Sequence, residues 1–417
     1  MMNWQSSGLT RRSLLRAAAA TAIVPVAITV AGTVQPGRSA AAPGPAARTR
    51  PPTPTRLVLC APSGPHPLGT IDLHLVDTAR VDPWLDARRP RELMVQLWYP
   101  TPATHGHPWA PWMSAAAAGF FERTQGIPAG SLVLPTTHAQ LAAPVDRGRR
   151  GRPVVVYSPG LASDRSLGTQ LIEELASHGY LVVAIDHTYD ADQVEFPGGR
   201  VETFAITGDL DDALIAKALA VRTADVRFVL DQLTALNAGH NPDARRRALP
   251  PTLTGAFDLP RTAMFGHSLG GATAAAALRA DRRLRAGVNL DGSLLASVTA
   301  GTDRPFLLFG SDPGPGPEDA SWDQFWASQS GWKRELALIG STHTSFTDLE
   351  TLLPQAAPAL GLTPGQVTQA IGPLDPDRAI RAQRDYLRAF FDRQLRHHDN
   401  RLLAHPSPSY PDVRFIR

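Results

Sequence analysis

The chain has 417 residues, more than one average domain needs, and a formal net charge of +3. Four arginines and no acid fall within the first 42 residues, and beyond them basic and acidic residues are nearly equal in number, which argues against a nucleic-acid-binding protein. Cys60 is the only cysteine, so an internal disulfide framework and a cysteine-based metal site are excluded.

The amino terminus has the pattern of an export signal. Arg11 and Arg12 precede an apolar stretch over 17–31, and small residues follow at 39–42. The apolar stretch is shorter than the roughly 20 residues that a spanning helix needs. We therefore predict a twin-arginine-type signal peptide over 1–42, a secreted, extracellular protein, and no transmembrane span in the mature chain. A Sec-type signal that happens to contain two arginines is the alternative.

Residues 43–55 interleave proline with arginine and small residues, which is typical of an unpacked linker. The folded domain is predicted to cover 56–417. It opens with two segments, 70–76 and 92–99, in which apolar and polar residues alternate, as in antiparallel strands. We expect these strands to lead into the main sheet.

The continuous apolar run over 153–157 is typical of a strand buried on both faces. A segment with helical spacing, 167–178, and a second apolar strand, 181–185, complete a parallel βαβ unit. Further along the chain we predict a long loop (189–207), helices (211–221, 222–236, 272–280 and one ending near Arg396) and strands (261–265, 285–290, 304–309 and 335–339). This alternation indicates an α/β-hydrolase fold: a doubly wound, mostly parallel sheet with antiparallel leading strands.

A G-x-S-x-G motif, Gly266-His267-Ser268-Leu269-Gly270, lies between a predicted strand and a predicted helix. This context is that of a nucleophile elbow, in which a sharp turn exposes the serine hydroxyl at the carboxyl edge of the sheet. Flanking glycines let the strand and helix pass close to the turn. Ser268 is therefore the candidate nucleophile, and His267 is interpreted as a packing residue that points elsewhere.

A serine nucleophile needs a base, and the base needs an orienting acid that lies between them in the chain order of this fold. His343 follows the last predicted strand and is the candidate base. Two acids compete for the third role. Asp291 ends one predicted strand and Asp312 follows the next, and the residues alone leave the choice open.

The oxyanion formed during acyl transfer needs two preorganised donors. The N–H of Leu269, directly after the nucleophile, is one candidate. The N–H of Leu161 is the other, because it follows the first buried strand and because Pro159 has no N–H to offer. The chain shows no metal-ligand spacing, so neither a metal nor a cofactor is expected.

Several segments resemble the platelet-activating-factor acetylhydrolase type II family of serine esterases over about 56–396. They are the G-x-S-x-G motif, Leu290-Asp291, the block 342–348 around His343, the block 176–180, and the early blocks 62–70 and 91–100. The resemblance implies an α/β-hydrolase fold, Asp291 as the acid, and a second oxyanion donor at Leu161. This chain has Pro159-Gly160 where the family often has His-Gly.

The sequence therefore predicts a cofactor-free serine carboxylic-ester hydrolase that acts through an acyl-enzyme. Its expected partner is a small-molecule or lipid ester. The resemblance implies short-chain acyl esters, with sn-2 acetyl phospholipids among the candidate substrates. A lipase or polyester hydrolase with the same triad is one alternative, and a non-catalytic binding relative of the fold is an alternative of another class.

Overall fold

The computed structural model describes residues 53–85, 87–103, 105–295, 297–312 and 320–417. The predicted signal peptide at 1–42 and most of the predicted linker lie outside the described residues. Within the described part, no helix is both long and apolar enough to span a bilayer.

The strands are β1 (Thr55–Arg56), β2 (Leu68–Val81), β3 (Pro90–Pro100), β4 (Trp109–Pro111), β5 (Leu132–Val133), β6 (Thr136–Leu141), β7 (Arg152–Ser158), β8 (Leu181–Asp186), β9 (Gln193–Phe196), β10 (Arg200–Thr203), β11 (Phe257–His267), β12 (Leu284–Leu290), β13 (Phe306–Ser311), β14 (Lys333–Leu338) and β15 (Val413–Phe415). The helices are α1 (Ala115–Thr124), α2 (Thr169–Ser177), α3 (Asp212–Asn237), α4 (Leu269–Ala280), α5 (Ala320–Ser328), α6 (Leu349–Leu360), α7 (Pro364–Ile371) and α8 (Pro376–Arg396). Short 3-10 turns cover Arg165–Gly168 and His343–Phe346.

One 11-stranded sheet organises the molecule, in the order β15-β14-β13-β12-β11-β7-β8-β3-β2-β6-β4. The six strands from β14 to β8 are all parallel to their neighbours. The predicted leading strands β2 and β3 pair antiparallel with each other, and β3 pairs antiparallel with β8. The predicted α/β-hydrolase architecture, a mostly parallel sheet with antiparallel leading strands, is confirmed.

Helices cover both faces of this sheet, which explains the continuous apolar strands. In β7, Val154 and Val156 pack with α3 and α4 on one face. Val155 and Tyr157 of the same strand pack with α2 and α8 on the other. Because successive side chains point to opposite faces, all four residues from Val154 to Tyr157 pack in one of the two apolar layers.

Two sequence predictions in the middle of the chain were wrong. The predicted loop over 189–207 contains the antiparallel hairpin β9–β10, whose turn uses Gly198 and Gly199 at positive φ. The two predicted helices over 211–236 form the single 26-residue helix α3, which has no glycine or proline in its interior. This continuity places the middle of α3 behind the loop that follows β7.

Candidate active site

Ser268 sits between the last residue of β11 and the first residue of α4, as the motif predicted. Its backbone is in the left-handed region, with φ 57° and ψ −125°. Its N–H donates to the carbonyl of Leu290 at 2.9 Å, and its own carbonyl accepts from Gly271 at 2.9 Å. The turn is therefore held from both sides, and the Ser268 side chain is left partly exposed at the carboxyl edge of the sheet.

The motif glycines are required because the backbone passes too close for a side chain. A Cβ on Gly266 would lie 2.2 Å from the carbonyl carbon of Gly270, and a Cβ on Gly270 would lie 1.9 Å from the carbonyl oxygen of Ser158. Both distances are far below van der Waals contact. The loop after β7 is thereby packed directly against the turn that carries Ser268.

His343 and Asp291 meet at the same sheet edge. His343 opens the 3-10 turn after β14, and its Nδ1 lies 2.7 Å from Oδ2 of Asp291. Asp291 follows β12 with φ 53°. Its other oxygen, Oδ1, accepts hydrogen bonds from the N–H of Ser311 at 2.7 Å and from the Ser311 hydroxyl at 2.9 Å. Three hydrogen bonds, one from His343 and two from Ser311, thus fix this carboxylate.

The electrostatics keep Asp291 ionised. Burial alone would raise the pKa of this carboxyl, but the hydrogen bonds from His343 and Ser311 outweigh burial and hold the pKa below its ordinary value. An ionised carboxylate can only accept, so Nδ1 of His343 carries the ring proton in the neutral imidazole. The Nε2 atom of His343 is then free to accept a proton from a hydroxyl.

Asp312, the competing acid, is bonded elsewhere. It follows β13, one strand further along the sheet, and its Oδ2 accepts from the N–H of Gly340 at 3.3 Å. The structure therefore pairs Asp291, and not Asp312, with the His343 ring.

The two candidate oxyanion donors flank Ser268. Leu269 is the first residue of α4, so its N–H lies in the unsatisfied first turn of a helix. Leu161 follows Gly160, on which an added Cβ would lie 3.3 Å from the Cβ of Ser268. Within the described residues, neither N–H donates to another protein group. The described residues also contain no group of three or more acidic, histidine or cysteine side chains that could hold a metal ion.

His267 is the neighbour that the sequence interpretation missed. It is buried, with 5% of its surface exposed, but it points toward His343 and not away from the site. Its Nε2 donates to the backbone carbonyl of His343 at 3.0 Å, and the two rings lie 4.4 Å apart. Burial, and then the nearby charge of His343, lower the pKa of His267 to about 3. A neutral His267 therefore supports the backbone of the candidate base.

A second Ser–His–Asp series lies behind the site. The Ser158 hydroxyl is 3.0 Å from Nε2 of His187, and Nδ1 of His187 is 3.0 Å from Asp225. All three side chains are fully buried. A substrate cannot reach them, so this series is part of the core. No motif in the sequence marks it, because its members are on β7, after β8 and on α3.

Comparisons with known proteins find relatives that are named as acetylhydrolases and esterases. The sequence profile described as "Platelet-activating factor acetylhydrolase, isoform II" matches residues 59–403. A probable 1-alkyl-2-acetylglycerophosphocholine esterase of Arthroderma benhamiae is 27% identical over 388 residues, covering 87% of this chain and 95% of that protein. The platelet-activating factor acetylhydrolase of Cavia porcellus is 26% identical over 285 residues, covering 63% of this chain and 61% of that protein.

A solved structure gives a higher identity. The ferulic acid esterase from Streptomyces cinnamoneus is 36% identical to this chain with a TM-score of 0.71. The match covers 87% of this chain and 99% of that one. These relatives are all named as esterases or acetylhydrolases, while the acyl groups in their names differ.

Because the pKa of His267 is lowered in the folded protein, the free energy of unfolding should decrease at acid pH. In the unfolded chain this histidine binds a proton near its ordinary pKa of about 6.5, whereas in the folded protein it does so only near pH 3. Stability is therefore full above about pH 6.5 and is lost as the pH falls toward 3, by up to about 1.4 kcal/mol per pH unit for this one proton. Urea unfolding of the wild type and of His267→Phe at pH 7, 5 and 4 should give a shallower acid loss for the variant. Equal slopes would contradict the assignment.

Proposed function

The chain belongs to the platelet-activating factor acetylhydrolase isoform II family and is a carboxylic-ester hydrolase of the α/β-hydrolase fold, and we propose that it cleaves esters through an acyl-enzyme on Ser268. In this mechanism His343 is the general base and acid, and Asp291 orients and stabilises it. The N–H groups of Leu161 and Leu269 stabilise the oxyanion.

The reaction follows from these positions. The Ser268 oxygen attacks the ester carbonyl carbon while Nε2 of His343 takes the hydroxyl proton. The carbonyl oxygen becomes an oxyanion that accepts hydrogen bonds from the two N–H groups. When the intermediate collapses, His343 returns the proton to the leaving alcohol, and water then repeats the sequence on the acyl-enzyme and releases the acid.

The contact between His343 and Asp291 is the observation that carries the proposal. A 2.7 Å hydrogen bond sets the tautomer of the base, and the carboxylate that makes it is itself held by Ser311. The imidazolium formed during attack would be stabilised by this ionised carboxylate at no cost in reorganisation. A histidine in an ordinary loop does not need such an arrangement.

For the substrate we propose a short acyl group, acetyl above all. The support is membership of a family described as acetylhydrolases, together with the fungal relative named a 1-alkyl-2-acetylglycerophosphocholine esterase. The signal proposed for 1–42 would deliver the enzyme outside the cell, where small-molecule or lipid esters would be its partners.

A hydroxycinnamoyl ester is the second candidate substrate. The specific support is the Streptomyces cinnamoneus structure, which is named a ferulic acid esterase and has a higher identity, 36%, than the fungal relative at 27%. The same triad serves both acyl groups, so the choice depends on the walls of the acyl site and not on the chemistry at Ser268.

A fluorophosphonate should label the folded protein on Ser268 alone, because in the proposed mechanism this is the hydroxyl that His343 activates. Ser268→Ala should take no label and should lose ester hydrolysis. Peptide mass spectrometry of the modified chain checks the position. An unlabelled wild type that is folded by circular dichroism would refute the serine-esterase mechanism.

Asp291→Asn should reduce kcat by about 10³- to 10⁴-fold, because an amide in place of the carboxylate favours the wrong histidine tautomer. Asp312→Asn is the matched control, with the same chemical change one strand away, and should keep most of the activity. Steady-state hydrolysis of p-nitrophenyl acetate measures both variants. A large loss in Asp312→Asn with an active Asp291→Asn would assign the acid to Asp312.

A substrate series separates the two acyl classes from each other and from a lipase. For the acetyl proposal, kcat/KM should be highest on p-nitrophenyl acetate and fall through butyrate, octanoate and palmitate, with release of acetate from an sn-2 acetyl phospholipid. Turnover of methyl ferulate above that of methyl acetate would select the second candidate. A maximum on palmitate would overturn both in favour of a lipase or polyester hydrolase.

A further inference from the structure

Arg222 forms hydrogen bonds with the loop after β7, which carries Leu161, one of the two proposed oxyanion donors. It lies in the middle of α3 and is fully buried. Its Nη1 donates to the carbonyl of Pro159 at 2.5 Å, and its Nη2 donates to the carbonyl of Gly160 at 2.8 Å. Two consecutive backbone carbonyls, directly before Leu161, are thus bound by one guanidinium.

The remaining donors of Arg222 are also used. Its Nε donates to Oδ2 of Asp190 at 2.7 Å, its Nη2 also bonds Oδ1 of Asp190, and its Nη1 lies 3.5 Å from the Ser158 hydroxyl. A guanidinium has five N–H groups, and each has an acceptor here. Because a planar guanidinium held in this way cannot rotate, the direction of its bonds to the loop is fixed.

The Gly160 carbonyl belongs to the same peptide unit as the Leu161 N–H. In a trans peptide these two groups point in opposite directions across one plane, and no described peptide bond is cis. Arg222 holds the carbonyl side of this plane, so the N–H side faces away from α3. Gly160 itself packs against Ser268, which places this peptide beside the nucleophile.

We propose that Arg222 is a positioning residue for the oxyanion hole: by binding the Gly160 carbonyl it fixes the peptide plane that presents the Leu161 N–H to the developing oxyanion. This inference rests on the proposed function. A charge-assisted bond to the carbonyl also polarises the amide, which makes the opposite N–H a stronger donor. Arg222 acts through Leu161 and touches no substrate atom.

A further contact with Asp190 supports this role. Asp190 is fully buried and pairs with Arg222 through its side chain, while its backbone carbonyl accepts the N–H of Ala162 at 3.0 Å. Ala162 has φ 52°, so the chain turns sharply just after Leu161. The residues on both sides of the Leu161 N–H are therefore tied to one buried ion pair.

Arg222→Lys tests the proposal, with Arg384→Lys as its matched control. Lysine keeps a positive charge that can pair with Asp190, but a single ammonium cannot reproduce the hydrogen bonds of a planar guanidinium to two carbonyls. Arg384, on α8, is also buried and binds two consecutive carbonyls, those of Cys60 and Ala61, both at 2.8 Å. None of its hydrogen bonds involves a residue of the proposed site, so the control imposes a similar packing change elsewhere.

For Arg222→Lys we expect kcat on p-nitrophenyl acetate to fall by about 10- to 100-fold, somewhat less than removal of an oxyanion donor costs, with KM unchanged. The pH profile of kcat should keep its shape, because His343 and Asp291 are intact. Affinity for an aryl trifluoromethyl ketone, whose serine adduct carries an oxyanion, should fall by the same factor as kcat. Arg384→Lys should change the melting temperature by a similar amount and leave all three readouts unaltered.

Other outcomes would overturn the inference. Unchanged kcat in a folded Arg222→Lys, or equal kcat losses in both variants, would make Arg222 purely structural. If Arg222→Lys does not fold, the double variant Asp190→Leu with Arg222→Met removes both buried charges and should show the same kcat loss. Failure of that variant to fold would also assign Arg222 to stability alone.

Failure of the proposed function has a separate signature. A folded wild type that hydrolyses no ester, or a Ser268→Ala variant as active as the wild type, would refute the mechanism and the role of Arg222 with it. A wild type that is active through Ser268, beside an Arg222→Lys with normal kcat, would refute only the role of Arg222.

Discussion

The left-handed backbone at Ser268 is the constraint on which this site depends. A non-glycine residue at φ 57° and ψ −125° costs of order 1–3 kcal/mol. The surrounding contacts must therefore stabilise this conformation. The carbonyl of Leu290 accepts the Ser268 N–H, and the Ser158 carbonyl lies so close to Gly270 that no side chain fits there. The close packing of Ser158 on Gly270 also brings the loop after β7 against Ser268. The positions of the nucleophile and of the loop that carries Leu161 therefore depend on the same contact.

The parallel sheet supplies the rest of the arrangement. β7, β11, β12 and β14 run in the same direction, so their carboxyl ends meet at one edge and deliver Leu161, Ser268, Asp291 and His343 from four separate parts of the chain. Asp291 repeats the device seen at Ser268, with φ 53° and its N–H held by the Phe309 carbonyl at 3.0 Å. The adjacent strands β11 and β12 are thus each followed by a residue at positive φ. These sharp turns direct the side chains of Ser268 and Asp291 to the edge of the sheet and not into the helical layers.

The sequence was sufficient for most elements whose signal is local, although the hairpin β9–β10 and the continuity of α3 were missed. Alternation, apolar runs and the glycines of the motif predicted the leading strands, the buried strands and the turn at Ser268. It was insufficient where the deciding contact is long-range. Asp291 and Asp312 follow neighbouring parallel strands and so reach the same edge, and only the three-dimensional position of the 3-10 turn pairs one of them with His343. Arg222 binds carbonyls 62 and 63 residues away, and its helix was predicted as two, so no pattern could have shown that contact.

The two Ser–His–Asp series show what makes such a set reactive. In each, a histidine is hydrogen-bonded to a carboxylate. His187 also bonds the Ser158 hydroxyl, but it is buried in the core, where burial and then the charge of Arg222 lower its pKa. A histidine with a lowered pKa is a weaker base, and Ser158 is the last residue of β7, with its side chain fully buried. The Ser158 series therefore supports the position of the loop after β7. Ser268 differs in its backbone and not in its side-chain chemistry, since the left-handed turn lifts the same functional group to solvent. Conformation, rather than residue type, therefore determines which series can meet an ester.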